Sequence, residues 1–119
     1  MITVCLALGE RGNLVSADAS GHAGAGIRGT DIVCAAVTVL LRTTVTVLSG
    51  HGLDVKAETA GRGTLSFRVK AFSGADVPLL VYAGKFLEEG LGSLSREFPG
   101  SVEMRILKAQ DDNDVVLED

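Results

Sequence analysis

Tryptophan is absent from this 119-residue chain, tyrosine occurs once, and the aromatics together make up 4% of it. The formal net charge is −4. Few aromatics and no basic excess argue against a nucleic-acid partner, which needs clustered Lys and Arg to neutralise phosphates. Cysteine occurs only twice, at Cys5 and Cys34, without the paired spacing of a disulfide framework. The first residues lack the basic start and apolar run of a signal peptide, so a cytoplasmic location is expected. The most apolar stretch, 32–48, is broken by Arg42, Thr43, Thr44 and Thr46. That leaves it short of the roughly 20 apolar residues that cross a bilayer, and no membrane association is expected. Repeats and low-complexity segments are absent too, and the length suits one core.

The remaining pattern is that of alternating strands and two helices. Ile2, Val4, Leu6 and Leu8 alternate with Thr3, Cys5 and Ala7, the period-two signature of a strand with one buried face. Cys5 is read as a core residue. Glu10-Arg11-Gly12-Asn13 reads as a turn into a second strand over 14–19. An apolar helix starts at Ile32, capped by Thr30 or Asp31, and ends near Gly50 and Gly52. Two further alternating runs, 55–59 and 65–71, are joined as a hairpin by Gly61-Arg62-Gly63. Asp76 is a plausible N-cap and Pro78 suits a first turn for a second helix carrying Leu80, Ala83, Leu87, Leu91, Leu94 and Phe98 at helical spacing. Gly84, Gly90 and Gly92 weaken that helix, and a last strand covers 102–107. The order ββαββαβ predicts an α+β fold, a two-layer sandwich with a mainly antiparallel sheet and two helices on one face. Residues 1–109 form the single domain, and the acidic tail 110–119 is expected to fray. The first helix is apolar around most of its circumference, so the second helix or a second copy of the chain, as a homodimer, must cover its outer side.

The chemistry concentrates in one segment. Gly21-His22-Ala23-Gly24 precedes Asp31-Ile32-Val33-Cys34-Ala35-Ala36, which sets an imidazole and a thiol on either side of a glycine-rich loop. A thiol in a first helical turn meets unpaired N–H groups and the positive end of the macrodipole, which favour the nucleophilic thiolate. His22 and Cys34 are therefore the candidate catalytic pair, with Gly21, Gly24, Gly26 and Gly29 allowing close backbone approach in a substrate loop. Asp31 caps the helix or orients the imidazole.

These residues resemble the signature of the ribosomal-processing cysteine protease (Prp) family. The match lies in Gly21-His22-Ala23-Gly24 and in Gly29, Asp31-Ile32-Val33-Cys34-Ala35-Ala36-Val37, and the separation of His22 from Cys34 agrees with it. Where many relatives have Ser after the Ala-Ala-Val run, this chain has Thr38. The resemblance implies that Cys34 is the nucleophile and His22 its base. It further implies that the partner is the N-terminal segment of the bacterial large-subunit ribosomal protein number twenty-seven, whose extension such enzymes remove by cutting after an aromatic residue.

Three other readings compete. Gly24-Ala25-Gly26-Ile27-Arg28-Gly29 is a literal G-x-G-x-x-G after a strand, the pattern of a phosphate-binding loop, but Asp31 at its mouth would repel an anion. A noncatalytic ribosome-associated binding module could use the same loop for docking. Cys5, His22, Cys34 and His51 lack the closely spaced pairs of structural zinc, so no metal or other cofactor is expected. His51, between two glycines at the end of the first helix, suits the negative pole of that helix better than a base's role.

Overall fold

The computed structural model describes residues 1–21, 30–59, 64–109 and 116–118, with Thr30, Asp31 and the last segment described through the backbone. The chain runs β1 (Ile2–Leu8), β2 (Leu14–Ser20), α1 (Thr30–Gly50), β3 (Asp54–Glu58), β4 (Thr64–Ser73), a 3-10 turn (Gly74–Asp76), α2 (Val77–Glu97), β5 (Val102–Lys108) and β6 (Val116–Glu118). The fold is α+β, and, the 3-10 turn aside, its strands and helices through β5 follow the expected ββαββαβ order. β6 is an addition, lying in the tail expected to fray and pairing parallel with β4 from Ala71 to Ser73.

The strands lie in the order β3-β4-β2-β1-β5. β1 with β2, β2 with β4 and β3 with β4 are antiparallel, whereas β1 and β5 run parallel from Ile2 opposite Val102 to Leu8 opposite Lys108. Alternation in the sequence decides which face is covered. Ile2, Val4 and Leu6 are buried with Ala17, Ala19, Phe67 and Val69, and the same core takes Val33, Val37, Leu41 and Leu48 from α1 and Leu80, Ala83, Leu87 and Leu91 from α2. These helical positions recur at steps of three, four or seven residues, which gathers them on one stripe of each helix. Both helices therefore cover the same side of the sheet. The odd positions of β1 belong to the opposite side, so Cys5, half-buried there with Thr3 and Ala7, is not the core residue expected.

Helix α1 is long and apolar enough over Ile32–Gly50 to cross a membrane by length and composition. Its inner face is nonetheless spent on the core, since Val33, Leu41 and Leu48 are fully buried there. It ends in a hydrogen-bonded reversal: Gly52 N–H donates to Ser49 O at 3.0 Å and Leu53 N–H to Leu48 O at 3.2 Å, with Gly52 at φ +87°. Only a residue tolerant of positive φ closes a helix this way at little cost, which is why the helix ends just before Gly52. His51 Nδ1–H donates back to Val47 O at 2.9 Å, consistent with its placement at the helix end.

Asp76 stands at the N-cap of α2 and Pro78 in its first turn, as expected, but the Asp76 side chain has another task. Its carboxylate accepts from Ser73 N–H at 2.9 Å and Ser73 Oγ–H at 3.1 Å, fastening the 3-10 turn, and makes no side-chain bond to cap α2. The glycines of α2 are also explained by packing. A Cβ on Gly84 would stand 3.2 Å from Leu8 Cδ2, and one on Gly90 would stand 3.1 Å from Leu40 Cδ1, so their helix-propensity cost is offset by close contact with the sheet and with α1.

Candidate active site

Cys34 lies near the start of α1, half-buried and packed against the core. The helix begins at Thr30 and not at Ile32, so the backbone of Thr30 and Asp31 belongs to its first turn. A carboxylate in a first turn still meets the positive end of the helix. The side chain of Asp31, and with it the choice between cap and orienting group, lies outside the described residues, as do His22, Gly24, Gly26 and Gly29.

The chain leaves β2 through Gly21, and the geometry there is restrictive. Gly21 has φ +103°, and a Cβ built on it would stand 2.6 Å from the carbonyl oxygen of Met1. Both facts require glycine: the backbone takes a direction that side chains disfavour, and it passes directly over the start of β1. Gly21 and Cys34 then share a cavity of about 340 Å³. The residue immediately preceding His22 and the candidate nucleophile thus face the same space.

The rest of the cavity was not read from sequence. Ile2 and Ala19 form its floor, Thr38 and Arg42 continue its helical wall, and Thr59, Thr64 and Leu65 contribute the other side. One signal was available. Cys34, Thr38 and Arg42 stand at i, i+4 and i+8, the spacing of neighbours along one flank of a helix. The contribution of Thr59 and Thr64 has no local signal, since it depends on where the β3–β4 hairpin docks.

Other chemistry-bearing residues are kept apart. Cys5 opens onto the uncovered face of the sheet while Cys34 lies on the helical side, and both thiols are free. No three His, Cys, Asp or Glu side chains gather in a metal-binding group among the described residues. A wider depression of about 530 Å³ occupies the uncovered face, lined by Ser16, Asp18, Lys56, Glu58, Ser66 and Arg68. Its charges are of both signs, and Lys56 pairs with Glu58 at 3.3 Å, so it offers no single-sign site. The phosphate-loop reading loses its frame as well. Dinucleotide folds place that loop in a unit of parallel strands, whereas β2 pairs antiparallel with both neighbours.

A thiol near the start of a helix, lining a cavity that the residue before His22 also lines, fits the arrangement of a cysteine peptidase. The family model described as cysteine protease Prp matches residues 1–103. The chain belongs to the cysteine protease Prp family. No protein with a curated description matches it. Among solved structures, it is similar to the Staphylococcus aureus essential ribosomal processing protease Prp in complex with a substrate peptide. That match has a TM-score of 0.74 at 19% identity and covers 89% of this chain and 99% of the other. The same S. aureus protease with a covalently linked product peptide aligns at TM-score 0.72 and 20% identity, with the same coverage. SMU.848 from Streptococcus mutans aligns at TM-score 0.73 and 24% identity, covering 92% of this chain and 96% of that one. Membership of the Prp family makes the chain a cysteine protease, and its two-layer architecture is that of these neighbours.

Proposed function

We propose that this Prp family member removes the N-terminal extension of the bacterial large-subunit ribosomal protein number twenty-seven, with Cys34 as nucleophile and His22 as base. The observation that carries the reading is the shared cavity: Cys34 lines it, and so does Gly21, whose peptide bond leads directly to His22. The S. aureus neighbours, captured with a substrate peptide and with a covalently linked product peptide, support a peptide as occupant.

In this mechanism His22 takes the proton of the Cys34 thiol, and Sγ attacks the scissile carbonyl carbon. Backbone N–H groups at the start of α1 stabilise the oxyanion of the tetrahedral intermediate. The C–N bond then breaks, and His22 gives its proton to the departing amine. Water, deprotonated by His22, hydrolyses the thioester and returns the thiol. The loop bearing Gly21, Gly24, Gly26 and Gly29 closes over the peptide, and Asp31 holds the imidazole or the helix start.

The chain works in the cytoplasm in this reading, where ribosomal proteins are assembled, and it acts as a homodimer without nucleic acid. Support for the dimer comes from the outer side of the helical layer. Ile32 is 62%, Val39 61% and Tyr82 70% exposed, and Val47 and Phe86 border an apolar groove of about 240 Å³ between the helices. A second copy would cover this patch. Sedimentation of wild type and Val39→Asp tests the pairing: a dimer converted to monomer supports it, and a wild-type monomer refutes it.

The function is tested by mass spectrometry of a peptide spanning the extension, incubated with wild type, Cys34→Ala or His22→Ala. One cut by wild type and none by either variant is expected, with all three proteins folded. Retained turnover in either variant would sink the assignment of that residue, and binding of the peptide without cutting by wild type would favour a noncatalytic module.

A further inference from the structure

Cys34, Thr38 and Arg42 form one flank of α1, and all three border the cavity that holds the candidate nucleophile. Arg42 is the only charged side chain among the described residues lining it, the others being apolar, threonine, glycine or the thiol. It is exposed, and no carboxylate among the described residues pairs with it. The described part of the acidic tail lies elsewhere, because β6 pairs with Ala71 to Ser73 whereas the cavity takes Thr64 and Leu65 at the opposite end of β4. A guanidinium with no carboxylate partner among the described residues thus borders the same groove as the thiol, two helical turns further along α1.

The spacing sets a ruler. Cys34 and Arg42 are about 12 Å apart along the helix axis at 1.5 Å per residue. An extended peptide advances about 3.3 Å per residue, so this span equals between three and four substrate residues. Guanidinium recognises carboxylate best, through paired N–H donors in one plane. We infer that Arg42 is a specificity-determining residue that selects peptides with Asp or Glu three or four positions from the scissile bond. The inference rests on the proposed protease reading for the location of that bond.

The test uses peptides spanning the ribosomal protein's extension, with Glu, Gln or Lys placed at the third and fourth positions on each side of the cut. Binding to Cys34→Ala and to the Cys34→Ala, Arg42→Glu double variant is measured by titration calorimetry, and kcat and KM are measured with wild type and Arg42→Glu. On one side of the cut, Glu should be preferred over Lys by about fivefold or more, in KM and not in kcat, the size of a solvent-exposed ion pair or above. Arg42→Glu should reverse that order, and Arg42→Gln should abolish it. A folding defect would lower all peptides together and could not reverse their ranking. Identical rankings in wild type and Arg42→Glu, or no binding of any peptide, would overturn the inference. Charge-dependent binding without cleavage by wild type would sustain it while refuting the protease assignment.

Discussion

Replacing Gly21 by alanine tests the geometry of the site at its narrowest point. The substitution adds one methyl group, and the structure assigns it two separate costs. At φ +103° a residue with a Cβ is strained by about 1–3 kcal/mol. The new Cβ also meets Met1 O at 2.6 Å, and a backbone oxygen cannot rotate away as a side chain would. Relief requires the end of β2 or the start of β1 to move, an overpacking cost of about 1–3 kcal/mol. Movement relieves part of both strains, so the expected loss of stability lies near the low end of their sum, about 2 kcal/mol. With an unfolding entropy of about 2.1 cal/mol/K per residue, that loss lowers the melting temperature by about 8 °C. Activity should fall further than stability. Gly21 leads into His22, and a misplacement of about 1 Å at a reacting group costs about a hundredfold in rate. Urea unfolding gives the first number and peptide turnover below the transition gives the second. A variant within about 0.5 kcal/mol of wild type that also retains turnover within about twofold would refute the argument, because neither the strain nor the clash would then be real.

Three further outcomes follow from features already described. Leu41→Ala empties a fully buried position between α1 and the sheet and should cost about 2–5 kcal/mol in urea unfolding, with the spread set by how far the core collapses. Gly50→Ala, where an added Cβ meets nothing within 4 Å, should instead stabilise by about 0.4–1 kcal/mol in the same assay. A thiol–imidazole mechanism needs no metal, so cleavage should survive EDTA and be lost when iodoacetamide modifies Cys34, with mass spectrometry locating the adduct. Inactivation by the chelator would contradict it.

The sheet and helices were legible because burial leaves a period in the sequence. Ile2, Val4 and Leu6 announce a one-sided strand, and Leu80, Ala83, Leu87 and Leu91 announce one face of a helix. The alternation put Cys5 on the face of Thr3 and Ala7, where it lies, but not in the core, because both helices pack on the other side, a matter no single strand's sequence decides. Gly84 and Gly90 looked like weak points because propensity is local, whereas their reason is the proximity of Leu8 and Leu40, which no window of sequence contains. β6 escaped for a related reason, since its pairing with β4 is set by a distant partner and not by its own acidic surroundings. At the site, Gly21 and Cys34 were legible as residue types in a recognisable spacing. Arg42 carried a readable i+8 relation to Cys34, but its position on a cavity wall needed the β3–β4 hairpin to supply the other wall.

The parallel pairing of β1 with β5 also has a consequence for the order in which the chain is completed. Ile2 finds Val102 about one hundred residues away along the chain, whereas β1, β2 and the helix that carries Cys34 are all synthesised by Gly50. Contacts between such distant segments form late, because loop closure must precede any reward from pairing. A ribosome making this chain therefore exposes Cys34 long before the strand that supports Gly21 from below has its second neighbour. The thiol is synthesised early and the pairing beneath Gly21 is finished almost last, so on the proposed function a growing chain carries its nucleophile before the site around it is complete.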